Sequence, residues 1–218
     1  RIKNLQKVPV SISAFDSQSL SSLGILLPSD IAQQTPNLQV SQPYGDAQPI
    51  FTLRGISMTD FNSNQSSPVG IYVDESPIEA SFMQASYLID IERAEVLRGP
   101  QGTLYGKNTT AGAINFTSKI PEFERNARLH FSYGNNNNLR VSGAAETVFI
   151  DETLGLRTAF TYSDSDGFYK NNYEGAEDLR EINNWALRTS LRYKTDTIDA
   201  TLRLQSGKTL GNTAGIIA

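Results

Sequence analysis

The residues whose types and spacing could support chemistry are few, and none forms a complete catalytic or metal-binding set. The segment from Gly102 to Asn108 partly matches a phosphate-binding loop, but only three residues separate its glycines, and Asn108 stands where magnesium needs Ser or Thr. The stretch from Asp164 to Gly167 matches the start of a calcium loop, yet no bidentate glutamate follows at the required spacing. The chain has no cysteine and a single histidine, His130, which excludes thiol catalysis and cysteine metal sites. We therefore predict no enzymatic activity, no metal site and no cofactor.

The composition indicates a folded chain. It has 218 residues, of which 39% are hydrophobic, and a net charge of −4, a balance too apolar for disorder and too acidic for general nucleic-acid binding. No run of 18 apolar residues occurs, which excludes a transmembrane helix, whereas membrane-spanning β-strands leave no such signal. The chain starts at Arg1 without a signal sequence, so we expect it to be part of a longer protein.

The first half, up to about Pro121, mixes short helical and strand signals and predicts a small α+β domain. Asp16 or Ser17 is placed to cap a helix that ends before Gly24, and Ser29 to cap a second helix over residues 30–34. Apolar runs bounded by polar, glycine-rich loops predict strands. The predicted strands cover residues 8–15, 38–40, 50–53, 69–73 and 94–97.

The second half alternates apolar and polar residues and predicts an antiparallel meander. Five alternating segments cover residues 127–133, 139–143, 154–162, 185–193 and 198–204. Short turns alternate with longer loops, and aromatic residues lie at strand ends, as in outer-membrane barrels. The polar face carries long arginines, which suit a wet lumen: Arg128, Arg140, Arg157, Arg188, Arg192 and Arg203. A soluble β-sandwich also alternates and stays open as an alternative; five strands cannot close a barrel, which needs about eight.

The stretch over residues 91–116, from Ile91-Glu92-Arg93 to Ala113-Ile114-Asn115-Phe116, resembles the signature of TonB-dependent outer-membrane receptors. Further matches follow the order of that family: residues 5–12, Leu53-Arg54-Gly55, and Tyr72-Val73-Asp74 with Pro77. The resemblance implies an α+β plug domain over residues 1–121. Antiparallel transmembrane β-barrel strands would follow over residues 122–218, as the first part of a barrel that the family closes with about 22 strands.

The resemblance also implies roles for individual plug residues. Arg54 and Arg98 are expected to pair with glutamates on the barrel wall and hold the plug in place. The glycines of the signature allow tight turns and close backbone approach. The signature residues are Gly99, Pro100, Gly102, Tyr105, Gly106, Asn108, Gly112 and Asn115. Glu75 departs from the family pattern because it replaces a glycine, and Lys107 stands where arginine is common.

Energised uptake of a scarce nutrient across the bacterial outer membrane is the implied function, with a siderophore–metal complex, cobalamin or an oligosaccharide-like ligand as substrate. The implied partners are TonB with its inner-membrane energising complex, outer-membrane lipid and the nutrient itself, with no nucleic acid. Three plug segments are expected to contact the substrate, through Tyr44, Asp46 and Gln48, then Phe61, Asn62, Asn64 and Gln65, then Phe82, Met83 and Gln84. The alternative is a surface or assembly component of the outer membrane that has a receptor-like plug and does not transport.

Overall fold

The computed structural model of the chain describes residues 11–43, 48–58, 66–167 and 181–211. These residues divide into two compact units, over Arg1–Ser118 and Lys119–Ala218. The first unit is α+β and the second consists of antiparallel strands, which confirms the predicted fold class.

The first unit contains seven strands and four short helices among the residues described. In chain order these are β1 (Ser11–Asp16), α1 (Ser17–Ser22), a 3₁₀ helix (Pro28–Gln34), β2 (Leu38–Ser41), β3 (Ile50–Leu53), β4 (Val69–Val73), β5 (Ser76–Pro77), a 3₁₀ helix (Ser81–Ala85), β6 (Ile91–Arg98), α2 (Gly102–Tyr105) and β7 (Gly112–Ser118). Within the described residues, none of these helices is long and apolar enough to cross a membrane.

A five-stranded sheet in the order β1-β6-β7-β4-β5 organises this unit, and β2 and β3 form a separate pair. β4 and β7 run parallel, with Ile71 opposite Ile114, while the other neighbouring strands are antiparallel. Side chains on one face of the sheet form the hydrophobic core together with the helices and the β2–β3 pair. The most deeply buried core residues, at 1% exposure or less, are Ile31, Phe51, Leu53, Val69, Ile71, Ala94, Val96, Ala111, Ile114 and Phe116.

The caps of the first two helices show where sequence reasoning succeeded and failed. The Asp16 carboxylate accepts the backbone N–H of Ser19 at 2.8 Å and starts α1, as predicted. The expected cap at Ser29 is wrong, because the second helix starts at Pro28, two residues before the predicted start, and its N-cap is Leu27. There the Asp30 carboxylate reaches back and accepts the N–H groups of Leu26 and Leu27 at 2.9 and 2.8 Å.

The second unit is a five-stranded meander in which each strand pairs with the next. Its strands are β8 (Asn126–Gly134), β9 (Asn138–Ile150), β10 (Leu154–Ser165), β11 (Ile182–Lys194) and β12 (Asp199–Gly211). All four pairings are antiparallel, which confirms the predicted meander. The turn after Ile150 and the turn after Lys194 are short, also as expected.

The polarity of these strands is the reverse of that in a soluble protein. Large apolar side chains lie exposed along one face, among them Leu129, Phe131, Leu187, Leu191, Leu202 and Leu204. Polar and charged side chains are buried on the other face, among them Glu146, Arg157, Asn184, Arg188 and Ser190. A contiguous exposed apolar face suits contact with lipid, so this distribution favours the barrel over the β-sandwich alternative.

Candidate functional site

The signature predicted to matter most forms a compact loop over residues 99–111, called the motif loop here. The N–H of Gly99 donates to the Ala111 carbonyl at 2.9 Å, and the N–H of Gln101 donates to the Thr109 carbonyl at 3.0 Å. The Gln101 side chain is buried and donates to the Gly99 carbonyl at 3.3 Å. Gly99 has φ of 103°, a conformation that favours glycine. The loop is therefore a fixed element closed across its base.

The motif loop lies on the face of the main sheet opposite the hydrophobic core. Tyr105 stacks against Tyr72 of β4 with ring centroids 4.7 Å apart, and the Tyr72 hydroxyl donates to the Tyr105 carbonyl at 2.8 Å. Beside them, Gly70 leaves room for Thr109, since a Cβ at Gly70 would lie 2.7 Å from Thr109 Cγ2. Burial raises the pKa of Tyr105, and the nearby carboxylates of Glu95 and Glu75 raise it further.

Gly70 is a functional position that sequence reasoning missed. The predicted strand over residues 69–73 included it without giving it a role. A glycine inside a strand pattern often marks close backbone approach, and that signal was available. Gly112 has a related role, because a Cβ there would overlap the Leu97 carbonyl and lie 2.5 Å from Leu53 Cδ2.

A polar row crosses the same face below the motif loop. Glu95 lies 3.5 Å from the Arg93 guanidinium and accepts a hydrogen bond from Asn115 Nδ2 at 3.5 Å. Asn115 is buried, and its Oδ1 atom has no hydrogen-bond partner among the described residues. Asn115 lies opposite Tyr72 on one side and Glu95 on the other. The signature asparagine therefore places an amide between the tyrosine pair and the charged pair.

The two signature arginines lie near the same end of the sheet. Arg54 follows β3 in a left-handed conformation (φ 52°), and its guanidinium lies 3.8 Å from where a Gly99 Cβ would be. Arg98 ends β6 and donates to Ser13 Oγ at 3.0 Å, while its buried Nε has no partner within the described part of the chain. Neither arginine forms an ion pair with a carboxylate of the residues described. Both retain donors for a further partner.

The turn after β4 contains Glu75, the departure from the family pattern. Asp74 and Glu75 both adopt positive φ, 50° and 66°, so Glu75 takes the conformation that glycine would prefer. The Asp74 carboxylate accepts the N–H of Ser118 at 2.8 Å and holds the end of β7.

The expected substrate segments are only partly described. Tyr44, Asp46, Phe61, Asn62, Asn64 and Gln65, together with the side chain of Phe82, lie outside the described residues. Gln48 is half-buried, and Met83 is 52% exposed and available for contact. Gln84 differs from expectation, because its side chain is 4% exposed and donates to the Ile78 carbonyl at 2.8 Å. This bond gives Gln84 a structural role in its own turn.

Glu79, just before the third expected substrate segment, contacts the motif loop. Lys107 Nζ lies 3.2 Å from Glu79 Oε1, with both side chains well exposed, and such a pair is weak because solvent screens it. A small pocket of about 30 Å³ beside this pair is lined in part by Tyr72, Gln84 and Asn108, which is room for one or two water molecules only. In the described part of the chain no group of three or more His, Asp or Glu residues is arranged to hold a metal ion.

An α+β unit with this loop, followed by antiparallel strands that expose apolar side chains, is the combination seen in outer-membrane receptors of similar structure. The family described as TonB-dependent Receptor Plug Domain matches residues 4–113, and the chain belongs to this family. The predicted family and the predicted outer-membrane location are thereby confirmed.

Known relatives are receptors rather than enzymes. The pesticin receptor of Yersinia pestis is 32% identical over 114 residues, which cover 52% of this chain and 16% of the relative. The metal-pseudopaline receptor of Pseudomonas aeruginosa is 38% identical over 88 residues, which cover 40% of this chain and 12% of the relative. The ferric yersiniabactin uptake receptor of Yersinia pestis has a similar structure (TM-score 0.80, 25% identity), with 91% of this chain matching 31% of that one. The chain therefore spans less than a third of each relative.

Proposed function

We propose that the protein containing this chain takes up a small metal chelate across the outer membrane, with energy supplied through TonB. The observation that carries the proposal is the joining of a plug unit to strands with an exposed apolar face. The relatives described above support the choice of substrate, because their names specify a metal-pseudopaline complex and ferric yersiniabactin. The more general assignment, to TonB-dependent outer-membrane receptors, rests on family membership.

The strand lengths suit a membrane-spanning role. β11 has 13 residues, which at roughly 3.3 Å per residue extend for about 40 Å. At a tilt of about 35–45° such a strand crosses about 28–33 Å, enough for an apolar band of about 25 Å. Tyr162 and Trp185 face each other across β10 and β11, and Tyr193 lies near the opposite end of β11. These rings suit the two interfacial girdles of a barrel.

In the proposed function, substrate contacts the exposed parts of the plug around the motif loop. Met83 and the Lys107–Glu79 pair are exposed there and offer a soft apolar group and two opposite charges. A metal chelate carries both apolar and ionised groups, so this mixture suits it. The segments holding Tyr44, Asp46, Phe61 and Asn64 remain part of the proposed contact surface on sequence grounds.

Arg54 and Arg98 are proposed to secure the plug through carboxylates of the barrel. The partly buried Arg98 guanidinium has one bond to a neutral hydroxyl and a buried Nε without a partner among the described residues. Burying a charge is costly unless it is paired, so a carboxylate of the barrel would compensate the positive charge of Arg98. Arg54 lies near Gly99 at the same end of the sheet and is proposed to share in the contact.

The test uses the full-length receptor. A strain lacking the gene is complemented with the wild-type gene or with Arg98→Ala, and the binding and uptake of iron-55 ferric yersiniabactin and of cyanocobalamin are measured. We expect the wild type to bind and accumulate a metal chelate. Arg98→Ala is expected to bind that chelate but to hold the plug less firmly. Large antibiotics should then cross the outer membrane faster than in the wild type. Binding without uptake by the wild type would instead support the alternative of a surface component that does not transport.

A further inference from the structure

The segment that leaves the plug unit follows a fixed path on the strands of the second unit. Residues 119–125, called the tether here, connect β7 to β8. A connecting loop needs no fixed path and usually runs exposed over a surface. In this chain Pro121 is instead fully buried, and strands β9 and β11 each contribute a side chain that holds the tether.

Glu146 of β9 is the first of these side chains. One of its carboxylate oxygens, Oε1, accepts the N–H groups of Glu122 at 2.7 Å and Glu124 at 3.2 Å. The other oxygen, Oε2, lies 3.1 Å from Arg157 Nη1 of β10. The Glu146 side chain is 0% exposed and that of Arg157 is 7% exposed. A carboxylate buried this deeply is stable only if its oxygens are paired, and among the described residues two of its three bonds come from the tether backbone.

Arg192 of β11 holds the tether from the other side. Its Nη1 donates to the Pro121 carbonyl at 2.8 Å, and its guanidinium lies over the Phe123 ring, 5.2 Å from the centroid. Asp199 of β12 orients it through two hydrogen bonds at 2.9 and 2.7 Å. The Arg192 guanidinium therefore uses its N–H donors and its planar face at the same time, and these combined contacts hold the tether in one position.

The local backbone conformation also indicates that the tether is held in a fixed position. Phe123 adopts φ of 65°, which is rare for an aromatic residue and persists only where surrounding contacts enforce it. Opposite it, Gly155 leaves the space that the tether occupies, since a Cβ there would lie 3.2 Å from both Phe123 Cδ1 and Pro121 Cβ. Arg125 adds a bond to the Val148 carbonyl at 3.3 Å.

We propose that Glu146 and Arg192 form an anchor that holds the tether on the barrel strands while the plug is pulled. The inference rests on the proposed function, because an anchor of this kind matters only if force acts on the plug. A pull on the plug extends the chain until it reaches the tether, and the anchor then fixes the end of the moving part. After release, the plug refolds from an end whose position is already set.

A thiol-labelling experiment on the full-length receptor tests the anchor without any transport. The 218 residues contain no cysteine, so once cysteines elsewhere in the receptor are replaced, Pro121→Cys places a single reporter thiol in the buried part of the tether. Its rate of reaction with a maleimide is measured in detergent, alone and combined with Glu146→Gln or Arg192→Lys. Glu124→Gln is the matched control, because it removes a carboxylate from the tether but keeps the N–H that Glu146 accepts.

We expect Glu146→Gln to increase the labelling rate roughly tenfold, as loss of a charge-assisted bond implies. Arg192→Lys is expected to increase it several-fold and Glu124→Gln less than twofold. The anchor is refuted if Glu146→Gln and Glu124→Gln give the same rate, or if Pro121→Cys alone reacts as fast as in urea. If Glu146→Gln does not assemble in the outer membrane, Arg192→Lys decides by the same comparison.

The labelling result separates the anchor from the proposed function. If the wild-type receptor accumulates no metal chelate, the proposed function fails, while the labelling rates still decide whether the tether is held. Where uptake is present, Glu146→Gln is expected to leave chelate binding unchanged and to lower the initial uptake rate severalfold. Unchanged uptake together with faster labelling would refute the mechanical role of the anchor.

Discussion

Replacing Gly70 by alanine should loosen the motif loop without unfolding the plug. The added Cβ would lie 2.7 Å from both Thr109 Cγ2 and Tyr72 Cε2, about 1 Å closer than two carbon atoms normally approach. Thr109 is 2% exposed and cannot swing into solvent. Tyr72 is held by its hydrogen bond to the Tyr105 carbonyl. The motif loop must therefore lift from the sheet.

Two opposing effects set the size of this change. Overpacking of this kind costs about 1–3 kcal/mol, while replacing glycine in a strand regains about 0.5–1 kcal/mol. Taking the middle of each range, the net cost is about 1.2 kcal/mol, which corresponds to a roughly eightfold increase in the fraction of open loop. The expected change is local, because the substituted residue faces away from the hydrophobic core.

Hydrogen exchange followed by mass spectrometry on the full-length receptor measures this opening. Peptides spanning residues 99–111 report the backbone bonds of Gly99 and Gln101. Gly102→Ala is the matched control, since a Cβ at Gly102 meets nothing within 4 Å, and it should leave exchange unchanged or slower. The reasoning is wrong if Gly70→Ala leaves the motif loop as protected as in the wild type, or if Gly102→Ala loosens it equally.

Three further changes test other parts of the structure. Tyr72→Phe removes the bond to the Tyr105 carbonyl and should destabilise the motif loop by about 0.5–1.5 kcal/mol, measured by the same exchange; a larger effect from Tyr105→Phe would contradict this. Hydrogen bonds from Ser19 hold the pKa of Asp16 below its ordinary value of 3.8, so the stability that this cap gives α1 is full above that value and is lost as the pH falls through the lowered pKa. Asp16→Asn should abolish that dependence in exchange rates corrected for pH, and a dependence that persists would refute the cap. Leu187→Arg places a charge on the exposed apolar face and should cost about 2–4 kcal/mol near the centre of the membrane, seen as a lower yield of heat-modifiable barrel than Leu187→Ala gives.

The strands of the second unit were predictable because successive side chains of a strand point to opposite faces. Alternating apolar and polar residues therefore indicate one apolar and one polar face. From Leu154 to Tyr162 and from Trp185 to Tyr193, each apolar residue alternates with a small or polar one, and the structure pairs these segments in register. The motif loop was predictable as a glycine-rich signature that contains one aromatic residue, Tyr105. Its assignment to a plug domain came from the family resemblance and not from the periodicity of the sequence.

The features that were not predicted depend on contacts distant in sequence. β7 escaped prediction because both of its faces are covered. Ile114 and Phe116 pack in the core, while Ala113 and Asn115 are buried on the opposite face, so the strand lacks the exposed polar positions of a half-buried strand. Nothing near Gln84 shows that its amide turns inward to the Ile78 carbonyl. Glu146 reads as one polar residue of an alternating strand, and its bonds to Glu122 and Glu124 follow only from the folded path.

The central claim, energised uptake of a metal chelate, is tested most directly by the initial rate of iron-55 accumulation from ferric yersiniabactin. Cells carrying the full-length receptor are compared in the presence and absence of TonB, at equal receptor level and equal surface binding. We expect accumulation only when both the receptor and TonB are present, with binding retained when TonB is absent. Equal accumulation with and without TonB, or none in either case for any metal chelate offered, would contradict the claim.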